Sequence, residues 1–506
     1  MKRGIVLPVL ALALLAGEIT GRGAIQDAGD YLKKNVVTAT LGNVITVILL
    51  NRGYAPVLAF DVAFRVGSVD ESYYTAGAAH LLEHMLFKGT DRLGTKDYKK
   101  ERVLLGRIEA VGETIDRLRL TDPGNLMLPR LEEELAKLQK DHAVYVESSP
   151  YDAIYTGHGG VGLNASTSRD KTGYYVQLPA SKLELWARIE SERLINPVFR
   201  EYYLERNNVV QERLMRYDSI GTGLLFETFL AQAFLAHPYR HPIIGWRSNI
   251  PFLSLGEVRG FFRERYVPSR MTITIVGRQD VQATMKVVRK YFEKIKSRPD
   301  PAPVSIAEPA QSGERRVIYN FESSPYLIMG WHKPAFASHD DFTCEVISEI
   351  LTGGKSSRLY RSLVIEKRIA SSVSAWNGAP GSRYDNLFTI FAAPIAPHTP
   401  EELEKALYGE IDRFFTDVSE EEISKVVNRI ESEMVFGLGT NKGLAETLSY
   451  YQTVYGDWRY AATYLDMIRK VTKDDIRGMK DAYFTARNRT VAILHDSRPP
   501  AGGGER

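Results

Sequence analysis

The sequence predicts an α+β fold of two duplicated domains, each a mainly antiparallel sheet with helices packed on it. A similar segment occurs twice: Val258–Tyr266 leads into Arg270–Gly277, and Ile476–Tyr483 leads into Arg489–His495. Both copies are typical of a helix, a tyrosine, a short loop and a buried β-branched strand. Because each half also begins with predicted strands and a proline-rich stretch separates the halves, a duplication is favoured over a chance similarity.

The composition is that of a folded chain without a strong charge bias. The chain has 506 residues, of which 44% are hydrophobic and 25% are charged, and its formal net charge is +3. These values exclude a disordered chain, allow two or more packed domains and argue against a dedicated nucleic-acid binder. The single cysteine, Cys344, excludes an intrachain disulfide and a cysteine-based zinc site.

Residues 1–24 are predicted to be a secretory signal segment. Lys2 and Arg3 precede a short apolar run over residues 5–16, which is the pattern of an export signal. The protein is therefore expected to be secreted across an inner membrane into the periplasm. A buried N-terminal helix is the alternative interpretation. Because the cleavage site is poorly marked, an uncleaved membrane anchor also stays open.

The chain after this segment divides into two predicted domains. We predict a metal-binding first domain over residues 30–297, a second domain that binds no metal over 314–498, and a linker over 298–313. The linker prediction rests on the proline-rich, polar sequence that begins at Pro299. The strands predicted at the start of the halves are Val44–Leu50, Val57–Val66, Arg316–Asn320 and Tyr326–Trp331.

A helical hairpin is predicted as an insertion in the first domain, at about residues 95–145. Apolar residues recur three and four positions apart on both sides of a break at Thr121–Asn125, which is typical of two antiparallel helices. The residues of this pattern are Leu104, Ile108, Val111, Ile115 and Leu118 before the break, and Leu131, Leu135 and Leu138 after it. A hairpin with a solvated outer face is favoured over a cofactor-binding or nucleic-acid-binding arm.

The segment His80-Leu-Leu-Glu-His84 carries the chemistry of the first domain. Residues three and four apart share one face of a helix, so His80 and His84 can direct both imidazoles at one metal ion, with Glu83 on the same side. Imidazole suits Zn²⁺, which in catalytic sites takes three protein ligands and a water. Glu83 is poorly placed to be the third ligand and well placed to accept a proton from a water that the metal activates. This is the H-x-x-E-H arrangement of a group of zinc peptidases.

A third ligand is sought in the predicted helix Glu201–Met215. Glu205, Asn208 and Glu212 lie on one face of that helix. Glu212 follows two valines, which indicates a partly buried turn. From the local pattern alone, a solvated surface carboxylate remains the better interpretation of Glu212.

Several segments together resemble the pitrilysin/insulinase-type (M16, inverzincin) zinc metallopeptidases. The resemblance is to their short subgroup, which includes the mitochondrial processing peptidase subunits and bacterial two-subunit relatives. It spans residues from about 35 to 495. The segments that carry it are residues 80–90, 163–168, 205–212, 237–242 and 353–360.

The resemblance implies a role for each candidate residue. One Zn²⁺ per chain would be held by His80, His84 and Glu212. Glu83 would be the catalytic base, with Glu205 as a supporting carboxylate of the catalytic site. An extended peptide would add to the edge strand that contains the substrate-binding residues, by main-chain pairing. These residues are Asn164, Ala165, Ser166 and Thr167.

Two departures from the family pattern affect this interpretation. The spacing from His84 to Glu212 is longer than usual, and the helical hairpin accounts for the difference. Active relatives also use an Arg and a Tyr from the domain that faces the zinc, whereas the matching places here hold Val364 and Ser371. Neither side chain can donate the charged or phenolic hydrogen bond that would stabilise an oxyanion.

The predicted function is therefore that of a zinc metalloendopeptidase that works as half of a heterodimer. This chain would supply the zinc and its ligands, and a homologous subunit without zinc would supply the Arg and Tyr. The two subunits would enclose a chamber in which extended or short peptides are hydrolysed. Two alternatives stay open: a non-catalytic, core-like assembly subunit, and a peptide-binding chaperone that keeps the metal for stability.

Overall fold

The computed structural model describes residues 23–53 and 55–498. The predicted signal segment, residues 1–24, lies outside the described residues except for its last two. Within the described ranges, every helix is too short or too polar to cross a membrane.

Two mixed sheets form the framework, and the five strands of the second follow the same order as five of the six strands of the first. The strands of the first sheet are β1 (Val36–Thr40), β2 (Thr46–Asn51), β3 (Val57–Phe64), β4 (Val161–Thr167), β5 (Thr172–Pro179) and β6 (Met271–Gly277). Those of the second are β7 (Arg315–Phe321), β8 (Tyr326–Lys333), β9 (Ala370–Ala379), β10 (Asn386–Pro394) and β11 (Arg489–Asp496). The orders are β1-β2-β6-β3-β5-β4 and β7-β11-β8-β10-β9. In each sheet one pair is parallel, β2 with β6 and β7 with β11, and the other pairs are antiparallel.

Helices cover both faces of the sheets. In the first half they are α1 (Gly23–Asn35), α2 (Ala78–Met85), α3 (Tyr98–Thr121), α4 (Leu128–Ala143), α5 (Pro150–Gly157), α6 (Leu183–Ile195), α7 (Tyr202–Arg213), α8 (Gly221–Ala233), α9 (Leu255–Arg265) and α10 (Val281–Phe292). In the second half they are α11 (His339–Thr352), α12 (Pro400–Asp417), α13 (Glu420–Gly437), α14 (Asn441–Tyr455), α15 (Tyr460–Ile468) and α16 (Lys473–Ala482).

The predicted α+β class and the internal duplication are confirmed by the matching strand orders. Each of the four predicted strands corresponds to an observed strand, namely β2, β3, β7 and β8, with shifted ends. The repeated segments form α9 with β6 and α16 with β11. Residues 293–314 contain no helix or strand, and the domain limits around them stay a prediction.

The two halves exchange one helix each. α8 comes from the first half, but its Leu225 and Phe229 pack against Ile328 and Leu494 of the second sheet. Gly330 of β8 leaves room for the Phe229 ring, since a side chain at residue 330 would collide with it.

The reciprocal contact is made by α14 of the second half. Its Leu444 and Leu448 pack against Ile48 and Val276 of the first sheet. Ser449 of the same helix donates a 2.6 Å hydrogen bond to buried Asp61 of β3. Other helices of each half, such as α6 and α10 in the first and α11 and α12 in the second, contribute to a core with their own sheet, so helices lie on both faces of each sheet. α1 instead joins α14, since its Leu32 lies in the same cluster as Leu444 and Leu448.

The predicted helical hairpin is formed by α3 and α4, with the break where the sequence indicated it. Its base is fixed by a buried ion pair, in which Arg200 donates to Glu101 of α3 at 2.7 Å. His142 of α4 contacts the same carboxylate at 3.0 Å. Arg200 also donates to the carbonyl oxygens of Lys88 and Thr90, which follow α2. The hairpin is therefore tied to the chain segment that leaves the candidate site.

Candidate metal centre

Helix α2 presents the two histidines from a buried support. Its apolar face, including Leu81, Leu82 and Met85, is fully buried in the first core. The N-terminus of α2 is fixed by Glu71, which accepts hydrogen bonds from the backbone N–H groups of Gly77 at 3.0 Å and Ala79 at 2.7 Å. The carboxylate satisfies N–H groups that have no partner within the helix. The opposite face of α2 carries His80, Glu83 and His84, which are partly exposed.

Helix α7 brings the distant carboxylates to this face. The sequence predicted a helix from Glu201 to Met215, whereas α7 ends at Arg213 and a π-helical turn, Leu214–Asp218, follows. Such turns interrupt the regular i→i+4 bonding. Glu205 and Glu212 both lie on α7, two turns apart, and both approach α2.

The side chains of His80, His84 and Glu212 converge. One ligand atom from each residue lies within 4.8 Å of the other two. The Nε2 atoms of His80 and His84 are each 3.7 Å from Oε2 of Glu212, which is too long for a hydrogen bond. Ligand atoms around a four-coordinate zinc lie roughly 3.4 Å apart. Two imidazole nitrogens and one carboxylate oxygen in this arrangement fit Zn²⁺.

A second carboxylate orients His84. Nδ1 of His84 lies 3.1 Å from Oε1 of Glu205, and Oε2 of Glu205 lies 2.5 Å from Nζ of Lys88. Because a carboxylate only accepts hydrogen bonds, Nδ1 of His84 is the protonated nitrogen and Nε2 keeps its lone pair for a metal. Lys88 also contacts Glu201 at 3.1 Å.

His80 and Glu205 have ionisation properties that suit this arrangement. Burial, with smaller contributions from His84 and Arg216, lowers the pKa of His80 to about 3. His80 is therefore neutral near pH 7, as a metal ligand must be. Burial opposes ionisation of Glu205, but hydrogen bonds from His84 and Lys88 lower the pKa of Glu205 to about 2. Glu205 is therefore a stable anion beside His84.

The carboxylate of Glu83 is held from the neighbouring sheet. The hydroxyl of Thr167 donates a 2.5 Å hydrogen bond to Oε2 of Glu83. Burial raises the pKa of the Glu83 carboxyl, and the hydrogen bond from Thr167 acts in the opposite direction.

The four residues predicted to bind substrate lie on β4, at one edge of the first sheet. β4 pairs only with β5 among the described strands, so its other edge is free of strand pairing. Asn164 and Ser166 are exposed, Ala165 is buried, and Thr167 is half-buried with its side chain directed at Glu83. β4 therefore lies directly beside the candidate metal centre.

A cavity of about 490 Å³ opens between these elements. Its lining includes Glu83 and His84 from α2 and Leu163 and Asn164 from β4. Residues 146–152, where the chain returns from the helical hairpin, form another wall. The cavity is large enough to receive a side chain of a peptide that lies along β4.

The second domain presents no charged or phenolic group at the two substituted places. Val364 is half-buried in a π-helical segment, Tyr360–Glu366, and packs against the second core. Ser371 is exposed on β9, and its hydroxyl donates a 3.2 Å hydrogen bond to the carbonyl oxygen of Ala393.

Two cations of the centre were not predicted from the sequence. Lys88 neutralises Glu205, and Arg216 lies 2.7 Å from Oε1 of Glu212, which leaves Oε2 of Glu212 facing the histidines. Arg216 follows its partner Glu212 by four residues, and this i, i+4 spacing is the sequence signal that could have identified it. Lys88 pairs with Glu205 of a different helix, so local spacing gives no signal for it.

Two family profiles match the chain. The profile described as "Insulinase (Peptidase family M16)" matches residues 46–114 and 148–246, and the profile described as "Peptidase M16 inactive domain" matches residues 253–430. The gap between residues 114 and 148 falls on the helical hairpin, in agreement with an insertion.

Relatives and solved structures cover nearly the whole chain. The chain is 26% identical over 487 residues to the zinc protease PqqE of Helicobacter pylori, with 93% of this chain and 95% of the relative covered. A crystal structure of a protease from Helicobacter pylori has a TM-score of 0.76 at 23% identity, over 91% of this chain and 99% of the other. The periplasmic protease PqqL from Escherichia coli has a TM-score of 0.67 at 14% identity, over 92% of this chain and 49% of PqqL.

Proposed function

The chain belongs to the M16 (insulinase) family of zinc proteases, and from this premise we propose that it is a zinc-dependent endopeptidase of extended or short peptides. The observation that carries the proposal is the convergence of His80, His84 and Glu212 within 4.8 Å. Glu83 and Glu205 adjoin this cluster from the same two helices.

The proposed metal is one Zn²⁺ per chain, held by Nε2 of His80, Nε2 of His84 and Oε2 of Glu212. A bound Zn²⁺ acts as a Lewis acid on the peptide carbonyl and makes a nearby water more acidic. Glu83 accepts the proton of the attacking water on its carboxylate and gives it to the leaving amine. Glu205 and Lys88 hold His84 in the tautomer that leaves Nε2 free.

The substrate is proposed to lie along β4 as an additional strand. Main-chain pairing to residues 164–167 would position a peptide bond beside Glu83 with little dependence on sequence. The neighbouring cavity of about 490 Å³ would receive one of the peptide's side chains.

We propose that a homologous subunit without zinc completes the site in a heterodimer. The support is Val364 and Ser371, which cannot supply an oxyanion-binding Arg and Tyr. A further support is the length of PqqL, of which this chain spans about half. The two subunits would enclose the chamber. A periplasmic location is proposed from the signal-like N-terminus, and PqqL is described as a periplasmic protease.

The Glu83→Gln variant tests the proposal. The purified wild-type chain is expected to contain one zinc by elemental analysis and, with its partner, to cleave peptide substrates. Glu83→Gln should keep the zinc, because Glu83 is not a ligand, and should lose about 100- to 10,000-fold in kcat, because the base is removed. Glu113→Gln, on the exposed side of α3, is the matched control and should change neither value.

Each other outcome contradicts a different part of the proposal. A wild-type chain without zinc would indicate a core-like assembly subunit. Zinc without cleavage, even with the partner present, would indicate a peptide-binding chaperone. Loss of zinc in Glu83→Gln would make Glu83 a ligand, and full turnover by the chain alone would exclude the half-site.

A further inference from the structure

We propose that the second domain positions the catalytic base of the first, through a buried contact at Asp170 that fixes Thr167 and thereby Glu83. The proposal rests on the function proposed above. Thr167 and Asp170 are positioning residues in it, because neither needs to touch the reacting atoms. The positions of β4 and of the Glu83 carboxylate are then both fixed by one turn of the chain, residues 168–171, which follows β4.

The first step is the contact between Thr167 and Glu83. The hydroxyl of Thr167 donates to Oε2 of Glu83 at 2.5 Å, so Oε1 is the oxygen left to accept a proton. Thr172, on the paired strand β5, lies 3.4 Å from the Thr167 hydroxyl and donates its own proton to the carbonyl oxygen of Val66 at 3.0 Å. The Thr167 proton is therefore directed to Glu83.

The second step is the tight turn that follows Thr167. Ser168 bonds across the turn, its N–H donating to the carbonyl oxygen of Lys171 at 2.8 Å. Its hydroxyl oxygen accepts from the N–H groups of Asp170 at 3.2 Å and Lys171 at 3.0 Å. The carbonyl oxygens of Ser168 and Arg169 accept from the N–H groups of residues 68 and 69 at 3.2 and 3.0 Å. The turn is thereby rigidly connected to Thr167.

The third step is the contact of this turn with the second domain. Oδ2 of buried Asp170 accepts hydrogen bonds from the N–H groups of Ser382 at 2.6 Å and Arg383 at 3.3 Å. Oδ1 of Asp170 accepts from the hydroxyl of Tyr239 at 2.7 Å, and that hydroxyl oxygen accepts from the N–H of Tyr384 at 3.2 Å. The loop between β9 and β10 is thus bonded to the end of the substrate strand.

Three charged groups, Asp70, Arg270 and Arg383, hold the same junction together. The guanidinium of Arg383 donates to Oδ2 of buried Asp70 at 2.8 Å, and Arg270 donates to Oδ1 of Asp70 at 3.1 Å. Asp70 follows residues 68 and 69, which hold the turn from the other side. Hydrogen bonds between buried charged groups in such a network are strong and geometrically restrictive. A displacement of the loop at residues 381–384 would therefore be transmitted to Thr167.

Kinetics of Thr167 variants test the first step. Thr167→Val keeps the branched shape and removes the hydroxyl. It should lower kcat by about 10- to 100-fold, the range for orienting groups around a metal site, and change KM by less than about threefold. Thr167→Ser restores the donor and should recover most of kcat. If Thr167 only bound substrate, KM would rise instead, and an unchanged kcat in Thr167→Val would overturn the proposal.

The contact at Asp170 is tested by Asp170→Asn, alone and combined with Thr167→Val. Asparagine keeps the size and loses one of the two acceptor oxygens. The single variant should lower kcat, and the double variant should lose less than the product of the two single effects, because both act through Glu83. Effects that multiply would contradict the connection. Thr416→Val, on the exposed side of α12, is the matched control for loss of a hydroxyl.

A readout without activity separates this inference from the proposed function. Crystal structures should show Glu83 in its wild-type side-chain conformation in Thr167→Ser and displaced in Thr167→Val. Amide hydrogen exchange of residues 161–171 should be faster in Asp170→Asn. An undisplaced Glu83 in Thr167→Val or unchanged exchange would overturn the inference even if the chain is a peptidase. A wild-type chain that cleaves no peptide would overturn the proposed function and leave these two measurements valid.

Discussion

At the scale of single residues, the role proposed for Glu205 is separable from that of the proposed ligands. It touches His84 and Lys88 but lies on the far side of the imidazole from Glu212. Partners of this kind fix the tautomer of a metal-binding histidine and raise its basicity. Glu201 contacts the same lysine without touching a histidine.

We therefore expect Glu205→Gln to weaken zinc binding. The variant leaves the three ligands intact but removes the negative charge beside His84, and the zinc affinity should fall by about 10- to 100-fold. Competition with a chromophoric chelator measures this loss. Glu201→Gln is the matched control, since it also removes a carboxylate from Lys88, and its zinc affinity should stay close to the wild-type value. Equal losses in both variants would assign the effect to Lys88 rather than to His84.

The residues of the candidate site also differ in how well local sequence patterns predict them. The placement of His80, Glu83 and His84 on one side of a helix could be predicted from their spacing, because one helix fixes their mutual geometry. The interpretation of Glu212 as a ligand needed the family resemblance, because no neighbouring residue in the chain distinguishes Glu212 from a surface carboxylate. The bond from Thr167 to Glu83 could not be predicted, because it depends on how β4 packs against α2.

At the scale of elements, a buried ion pair between Arg200 and Glu101 holds the base of the helical hairpin. Burial opposes ionisation of Glu101, but the hydrogen bonds from His142 and Arg200 lower the pKa of Glu101 from 4.5 to about 2. A carboxyl group whose pKa is lower in the folded state stabilises the fold above its unfolded pKa. That stabilisation is lost as the pH falls through the interval from 4.5 to about 2.

Glu101→Gln should lower the free energy of unfolding near pH 7, and this decrease should be smaller at acidic pH. The expected loss is about 3 kcal/mol, both from the pKa shift and from the buried Arg200 left without its partner. The difference from the wild type should shrink between pH 5 and pH 3.5, as Glu101 takes up its proton in the unfolded chain. Urea unfolding at a series of pH values measures this difference.

The exposed ion pair of the same hairpin provides the control. Arg119 and Glu132 join α3 to α4 at 2.6 Å, but both side chains are 45% exposed. Glu132→Gln should cost less than about 1 kcal/mol at any of these pH values. A pH-independent difference for Glu101→Gln would contradict the lowered pKa.

Elements differ in how well the sequence predicts them, and α8 shows why. Its sequence, Gly221–Ala233, is apolar on most sides and predicts a buried helix. The partner of a buried helix is set by contacts between residues far apart in the chain, and no periodicity encodes them. The strands and the hairpin could be located from local patterns, whereas the exchange of α8 and α14 could not. The π-helical turn after α7 likewise has no signal in the hydrophobic pattern.

At the scale of the whole molecule, the exchanged helices couple the two domains. Phe229 of α8 is fully buried against the second sheet. Phe229→Ala should cost about 3–5 kcal/mol, because it leaves a cavity in that interface. Since α8 belongs to the first half, we expect calorimetry to show a single transition at a lower temperature rather than two separated transitions.

A variant of the reciprocal contact, made by α14, checks this expectation. Leu448→Ala in α14 removes a fully buried side chain from the first sheet, and it should also lower one common transition. The coupling would be contradicted if either variant showed two separate transitions. In that case only the domain that contains the cavity would be destabilised. The size of the shift is expected to be smaller for Leu448→Ala, whose typical cost is about 2–5 kcal/mol.

Because α8 and α14 each pack on the sheet of the other half, we expect the two domains to associate even without the covalent connection between them. A chain interrupted between Ser305 and Ile306, in the stretch without helix or strand, still presents α8 to the second sheet and α14 to the first. Each fragment then completes the fold of the other, so the two pieces can be encoded separately and reassembled. Different labels can in this way be placed on the fragment that carries His80, His84 and Glu212 and on the other fragment.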